Sequence, residues 1–222
     1  MADSTSADPA YIPAARWRVF SRIYDPVLAL TMRERRFRAA MRERVSAALP
    51  EGGTVVDVGC GTGTFLLGMA AARPDATLIG VDGDPEILAR ARAKAGAEAV
   101  EWRDGLAGEL PLPDDSADVM TMSLVLHHLL PGQKREAMRD IGRVLKPGGS
   151  FQIADWGPPH DPAMSAVFFV SQAIDGFERT ADHRAGRLPQ MLREAGFEDV
   201  ERYGRLRTAG GSLDLLSAQR RA

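Results

Sequence analysis

Residues 54–64, which read Thr-Val-Val-Asp-Val-Gly-Cys-Gly-Thr-Gly-Thr, restrict the possible folds of this chain more than any other stretch. The β-branched residues at its start predict a buried strand. Three glycines follow at alternate positions, Gly59, Gly61 and Gly63, and an apolar run that predicts a helix comes after them. Glycine lets the backbone adopt positive φ and approach a ligand closely. A strand, a glycine-rich turn and a helix N-terminus in this order predict a nucleotide-binding unit.

The acid before the glycines narrows the choice of ligand. Asp57 stands two residues ahead of Gly59, and the glycines follow the pattern Gly-x-Gly-x-Gly. A dinucleotide-binding fold uses Gly-x-Gly-x-x-Gly instead, so that a pyrophosphate can lie on the helix N-terminus. A carboxylate at Asp57 would repel a pyrophosphate and attract a ligand that carries an ammonium group. An NAD-binding oxidoreductase is therefore disfavoured, and a glycine-rich turn that binds nothing is the other alternative.

The segment Asp-Val-Gly-Cys-Gly-Thr-Gly resembles the first motif of the class I S-adenosylmethionine-dependent methyltransferases, whose cofactor carries an ammonium group at its amino-acid end. The resemblance covers most of the chain, from about Tyr24 to the end. Tyr24 and the aspartate after it resemble a pair that precedes the core in methyltransferases of ubiquinone and menaquinone biosynthesis. This resemblance implies that the Tyr24 ring lies over the methionine end of the cofactor. An ordinary core aromatic is the alternative for Tyr24.

Hydrophobic periodicity along the rest of the chain predicts strands that alternate with helices. After the first strand, further strands are predicted at 77–82, 99–102, 117–126, 150–155, about 199–207 and 212–218. Alternation of this kind implies a parallel sheet with helices on both faces. The predicted fold class is α/β: a Rossmann-like, doubly wound, mostly parallel seven-stranded sheet with N-terminal helices and a helical insert after strand five.

We expect one methyltransferase domain over residues 14–222, after a disordered N-terminus at 1–13. Its parts are a helical cap at 14–49, a cofactor-binding core at 50–155 and an acceptor-side insert at 156–186. Outside the cap, helices are predicted at 64–73, after Asp84, and at 133–145, 164–174 and 188–194.

Acids also follow the second and third strands, and ligands bind at the carboxyl ends of strands in parallel sheets. Asp82 ends the second strand, and its two acceptor oxygens can take both hydroxyls of a ribose. Gly83 beside it leaves room for the face of an adenine. The resemblance implies that Asp104 accepts from the adenine amino group while the backbone of Gly105 and Leu106 meets the ring. A helix cap at Asp82 and a turn aspartate at Asp104 are the alternatives.

Residues 123–130, Ser-Leu-Val-Leu-His-His-Leu-Leu, resemble the fourth-strand motif of the same family, which implies that Ser123 lines the methionine end of the cofactor. Histidine titrates near neutrality, so His127 and His128 are candidates for a base or an orienting group. Position in the motif favours His128 as the catalytic residue. A structural histidine packed at a strand-to-helix turn is the alternative.

The insert and the strand before it offer weaker candidates. Four aromatic residues are candidates for an acceptor wall, although aromatic residues at helical spacing are more often core. They are Trp156, Phe168, Phe169 and Phe177. His160 and His183 are expected to be solvent-exposed loop histidines rather than acid–base groups.

The composition of the chain restricts its possible binding partners. A net charge of −2 over 222 residues argues against a general nucleic-acid binder. The single cysteine, Cys60, excludes an internal disulfide and a cysteine-rich zinc site, and no metal site is predicted. No apolar run reaches the roughly 20 residues of a membrane span, so we expect a cytoplasmic location. Nine arginines between Arg16 and Arg44 leave a membrane surface open as a partner, although a solvated helical face is favoured.

These patterns together predict a bacterial enzyme that uses S-adenosylmethionine to methylate an O, N or C atom of a small-molecule acceptor. Two alternatives stay open. One is a phospholipid-headgroup methyltransferase, which would use the arginine-rich helices. The other keeps the fold and the cofactor for a cyclisation or for regulation, without methyl transfer. The sequence carries no signal for the oligomeric state.

Overall fold

The structure is a computed structural model, and it describes residues 33–222. It therefore includes the predicted helical cap only from Arg33 onward. The predictions for residues 1–13 and for Tyr24 lie outside the described residues, and the division into cap, core and insert stays a prediction.

Helices and strands alternate over most of the described range. The helices are α1 (Glu34–Ala48), α2 (Thr64–Ala72), α3 (Pro85–Arg92), α4 (Pro131–Val144), α5 (Pro162–Asp175), α6 (Phe177–Arg184) and α7 (Leu188–Glu194). Short 3-10 helices lie at Ala97–Ala99 and Leu126–His128. The strands are β1 (Thr54–Val58), β2 (Thr77–Asp82), β3 (Glu101–Asp104), β4 (Ala117–Ser123), β5 (Leu145–Trp156), β6 (Phe197–Thr208) and β7 (Gly211–Arg220).

Within residues 33–222 the strands form one seven-stranded sheet in the order β3-β2-β1-β4-β5-β7-β6. The first five strands in this order pair in parallel, and β7 runs antiparallel to both β5 and β6. The predicted mostly parallel seven-stranded sheet is thereby confirmed. Because the five parallel strands share one direction, their carboxyl ends meet along one edge of the sheet.

Alternate residues of the central strands face opposite sides of the sheet, and each side has its own apolar cluster. Val55 of β1 packs on the side of α1, α2 and α5, where Phe37, Phe65 and Phe168 are fully or nearly fully buried. The neighbouring Val56 packs on the side of α4 and α7. Helices therefore cover both faces, as a doubly wound sheet requires. In the described part of the chain no helix combines the length and the apolar character that crossing a membrane would need.

Four elements differ from the predicted boundaries. Strand β4 ends at Ser123 instead of reaching 126, because Leu124 turns the chain at a φ of 58° before the 3-10 helix. Strand β5 begins at Leu145 instead of 150. There the Pro-Gly-Gly segment is a bulge: Leu145 pairs with Ala117 and Ser150 with Val119, so five residues of β5 span two steps of β4.

The other two differences concern β3 and the insert. Strand β3 is displaced toward Asp104, because a 3-10 helix takes up Ala97–Ala99. The insert contains a second helix, α6, beyond the one that its periodicity predicts.

Candidate functional site

The glycine-rich turn after β1 is held against the end of β2 by backbone hydrogen bonds. The amides of Gly59 and Cys60 donate to the carbonyl of Val81, at 2.8 and 3.1 Å. Gly59 has a φ of 69°, and a Cβ there would lie 2.3 Å from Val125 Cγ2. Only glycine satisfies both the left-handed backbone and the close approach at this position. Gly61, at a φ of 55°, has open space where its side chain would be.

Asp82 is the acid that fixes the tip of this turn. Its Oδ2 accepts from the Gly61 amide at 2.8 Å, and its Oδ1 accepts from the Asp84 amide at 3.0 Å. Asp84 in turn caps α3 through the amides of Glu86 and Ile87. A carboxylate has about four lone-pair positions, so both oxygens of Asp82 can still accept from a ligand. Burial raises the pKa of Asp82 above its usual range.

The residues predicted to meet an adenine lie together beside Asp82. The Gly105 amide donates to the Asp82 carbonyl at 3.1 Å. A Cβ on Gly83 would lie 2.4 Å from Leu106 Cδ2, so a larger residue would displace the Leu106 side chain. Asp104 pairs in register with Asp82, and its side chain is 64% exposed, 3.8 Å from the Arg92 guanidinium. The structure therefore brings all five predicted residues to one end of β2 and β3.

Asp57 has a different setting from the one expected for a ligand-facing acid. Its carboxylate is buried between strands, where Oδ1 accepts from the Thr121 hydroxyl of β4 at 2.6 Å. Burial raises the pKa of Asp57 to about 6. The less buried groups at this point are Gly59 and Gly61 of the turn and Ser123 at the end of β4, while Gly63 is the N-cap of α2.

At the end of β4 the structure buries His127 and exposes His128, the histidine that the sequence favours as the catalytic residue. His127 is buried, and its Nδ1 lies 2.7 Å from Asp155 Oδ1 on β5. Burial by itself lowers the pKa of this imidazole, but the charge of Asp155 and the hydrogen bond to it outweigh that effect, so the pKa of His127 is raised. His128 follows with a side chain that is 60% exposed. Its ring packs 4.0 Å from the His127 ring, centroid to centroid.

Asp155 is the functional candidate that sequence reasoning missed. Its Oδ2 accepts from the amides of Val125 and Leu126 at 3.1 and 2.8 Å, and Oδ1 accepts from the Trp156 amide at 2.7 Å. Burial raises the pKa of a carboxyl, yet the charge of His127 and these hydrogen bonds hold the pKa of Asp155 well below its usual range. The available signal was its position, since Asp155 stands at the end of a strand like Asp82.

Further buried side chains lie behind the His127–Asp155 pair. The expectation of an exposed loop histidine at His183 is wrong: it lies in α6, is fully buried, and its Nε2 is 3.5 Å from Asp155 Oδ1. Lys134 of α4 is fully buried beside it and donates to the Arg179 carbonyl at 2.5 Å. The Lys134 ammonium also lies 3.3 Å from Asp182. Side chains from two helices, α4 and α6, thus converge behind Asp155.

The remaining insert residues divide between the core and the surface. Phe168 is fully buried, and Trp156 packs against it with ring centroids 6.3 Å apart. Phe169 and Phe177 are exposed with centroids 5.6 Å apart. They line an open groove of about 700 Å³ with Gln172 and Arg184. His160 Nδ1 lies 2.7 Å from the Ser212 hydroxyl.

One group in the described part of the chain meets the distance criterion for a metal site. His127, His128 and Asp175 each place a nitrogen or oxygen ligand atom within 4.8 Å of the others. The sequence pattern predicted no such group, because two adjacent histidines and a distant aspartate match no metal-binding spacing.

Comparisons with known proteins agree with this geometry. The family described as "Methyltransferase domain" matches residues 55–149, which include the glycine turn and β2 to β4. The demethylmenaquinone methyltransferase of Listeria monocytogenes is 31% identical over 172 residues, which cover 68% of this chain and 72% of the relative. The chain belongs to the class I S-adenosylmethionine-dependent methyltransferases, and it is a methyltransferase enzyme whose cofactor is S-adenosylmethionine.

A second relative and one solved structure are also similar to this chain. The arsenite methyltransferase of Halobacterium salinarum is 37% identical over 162 residues, or 70% of this chain, but the chain spans only 40% of that relative's length. The crystal structure of a putative methyltransferase from Bacillus halodurans covers 83% of this chain and 99% of its own, with a TM-score of 0.65 and 22% identity. At that identity the second similarity supports the fold alone.

Proposed function

We propose that this enzyme transfers a methyl group from S-adenosylmethionine to a small organic acceptor at the carboxyl edge of the sheet. The observation that carries the proposal is the Asp82 carboxylate, which holds the tip of the glycine turn through Gly61 and keeps lone pairs free for a ribose. Bound S-adenosylmethionine supplies a methyl group on a sulfonium, whose departure leaves a neutral thioether.

The residues at this edge fit the cofactor. Asp82 would accept from the ribose hydroxyls, and the exposed Asp104 from the adenine amino group. The Leu106 side chain lies directly against Gly83, where a Cβ would come within 2.4 Å of Leu106 Cδ2, so this exposed side chain would turn aside to admit the adenine ring. The Gly105 backbone would meet the same ring.

The amino-acid end would lie on the other side of the turn. Gly61 leaves open space where its side chain would be, and Ser123 offers a hydroxyl nearby. The space beside Gly59 and Gly63 is filled by Val125 and Trp102, so these two glycines let the turn pack closely on its neighbours. The Asp57 carboxylate is buried against Thr121, so it would attract the ammonium group of the cofactor from beneath the glycine turn. Tyr24, which lies outside the described residues, is proposed on the resemblance alone.

The acceptor would lie beyond Ser123, between the 3-10 helix that carries His127 and the helices α5 and α6. The aromatic groove of Phe169 and Phe177 suits an acceptor with an apolar part. Arsenite, the acceptor named for one relative, would need soft sulfur ligands. Cys60 is the only cysteine of this chain, it is buried, and burial raises the pKa of its thiol, so it does not supply them. This favours an organic acceptor, as for the demethylmenaquinone methyltransferase relative.

No observation favours the phospholipid alternative. The arginine-rich segment that motivates it, from Arg16 to Arg44, lies half outside the described residues.

Calorimetric titration with S-adenosylmethionine tests the cofactor site. Asp82→Ala removes both ribose contacts, and hydrogen bonds to charged groups contribute about 1.5–3 kcal/mol each. We therefore expect the dissociation constant to rise by about 100-fold or more. Asp114→Asn is the matched control, because this exposed acid pairs with Arg143 away from the site and should leave the affinity unchanged.

Two results would overturn the proposal. One is an Asp82→Ala variant that binds the cofactor as the wild type does. The other is a wild-type protein that transfers no labelled methyl group to any member of a panel of phenols, quinols and amines.

A further inference from the structure

We propose that His127, His128 and Asp175 form a binding site for a divalent transition-metal ion at the acceptor side of the sheet. Their ligand atoms lie within 4.8 Å of one another and comprise two imidazole nitrogens and one carboxylate oxygen. This donor set suits zinc, iron(II) and cobalt(II), and three protein ligands leave open positions, as in catalytic zinc sites.

The strongest support is the way His127 is held. Its Nδ1 is 2.7 Å from Asp155 Oδ1, so the other ring nitrogen, Nε2, is the one left for a metal. Histidines that bind metals usually donate their second ring N–H to a carboxylate, which fixes the tautomer and the orientation of the ring. Asp155 is itself held by the amides of Val125, Leu126 and Trp156. The supporting shell of a metal ligand is therefore already built.

The other two residues can complete the site by small movements. His128 Nδ1 and Asp175 Oδ1 are 3.9 Å apart. Zinc bonds of about 2.1 Å place tetrahedral ligand atoms about 3.4 Å apart, so the His128–Asp175 pair must close by about half an ångström. The distances to His127 are at most 4.8 Å, so they close by no more than about 1.4 Å. The His128 side chain is 60% exposed and that of Asp175 is 18% exposed. The exposed His128 can change rotamer without disturbing the core, and its exposed side keeps an open position accessible.

The fixed charges around the site are compatible with a cation. In addition to the ligand Asp175 on α5, the Asp155 carboxylate faces the site from β5, 2.7 Å from His127 Nδ1. The nearest cations have other partners: Arg179 donates to the His128 carbonyl at 2.9 Å, and Lys134 lies 3.3 Å from Asp182.

The role of the metal rests on the proposed function, whereas metal binding itself does not. An ion held here would face the acceptor, and its open positions would take an oxygen of that acceptor. The site therefore points to an acceptor that carries a hydroxyl or enol oxygen, whose proton is lost more readily when the oxygen binds a metal.

The test uses the full chain with a histidine-free affinity tag, stripped by chelator dialysis and titrated with Co²⁺. Visible absorption and metal analysis should show one ion per chain for the wild type. His128→Ala and Asp175→Asn should each weaken binding at least 100-fold. The variants should fold, because the His128 side chain is 60% exposed and asparagine has the size of the aspartate it replaces. His160→Ala is the matched control, because His160 contacts Ser212 outside the group and its loss should not change Co²⁺ binding.

Circular dichroism and calorimetry with S-adenosylmethionine on the same samples make the outcomes distinguishable. Substoichiometric Co²⁺ binding, or equal affinity in the wild type and the two ligand variants, overturns the metal site. A wild type that binds the cofactor but no metal leaves the methyltransferase proposal standing. A wild type that binds one Co²⁺ but no cofactor supports the metal site and contradicts the proposed cofactor site.

Discussion

Two buried carboxylates at the same edge of the sheet differ in how the protein treats their charge. Asp57, on the cofactor side, is 2% exposed and accepts a hydrogen bond from the Thr121 hydroxyl. Asp155, on the acceptor side, is 1% exposed and accepts from three backbone amides and faces the His127 imidazole. The pKa of Asp57 is raised to about 6, whereas the pKa of Asp155 is held below its usual range.

The difference shows that the partners of a buried carboxyl, and not burial itself, set its charge. Desolvation raises the pKa in both cases. One hydroxyl does not offset it at Asp57, but several backbone N–H donors and the His127 imidazole do at Asp155. The charged form of Asp57 therefore costs free energy at neutral pH, and that of Asp155 contributes stability.

The largest effect should come from removing the charge at Asp155. Asp155→Asn leaves His127 without its partner and turns an amide NH₂ toward the backbone donors. We expect the free energy of unfolding at pH 7, measured by urea denaturation, to fall by about 3–5 kcal/mol, as when one member of a buried pair is removed. Asp57→Asn is the matched control and should be neutral or stabilising. Equal losses in the two variants would break the comparison.

A smaller effect should appear in the pH dependence of Asp57. Its folded pKa lies above the unfolded value near 3.8, so its contribution is fully present below about pH 4 and is lost as the pH rises through about 6. The wild type should therefore lose about 2–3 kcal/mol relative to Asp57→Asn between pH 4 and pH 7. Urea denaturation at several pH values measures this difference. A difference that does not vary with pH would show that Asp57 is not held as the structure indicates.

The smallest effect concerns the contact between Gly59 and Val125, where the cofactor side meets the acceptor side. Gly59 and Gly61 both have positive φ, but only at Gly59 would a Cβ clash with a neighbour. Alanine should therefore cost about 2 kcal/mol more at Gly59 than at Gly61, since overpacking costs about 1–3 kcal/mol. Thermal and urea unfolding of the two variants measure the difference. Equal destabilisation would mean that Val125 can move aside freely.

The two regions also differ in how far the sequence predicts them. The cofactor side is local: one strand, a turn and a helix follow one another in residues 54–72, and Asp82 lies at the end of the next strand. Its signals are glycine spacing, β-branched runs and strand-terminal acids, and the predicted residues do lie together. The acceptor side joins β4, β5, α4 and α6, so its contacts connect residues far apart in the chain.

Local patterns therefore determined the parallel sheet, the glycine turn and the grouping of Asp82, Gly83, Asp104, Gly105 and Leu106, because each depends on backbone geometry within a βα unit. Only the tertiary structure shows which of His127 and His128 is buried. Adjacent residues on a 3-10 helix point in different directions, and the side chain that turned inward met Asp155. The burial of His183 and Lys134 was decided in the same way, since α6 packs on the end of the sheet where the sequence shows only a polar segment.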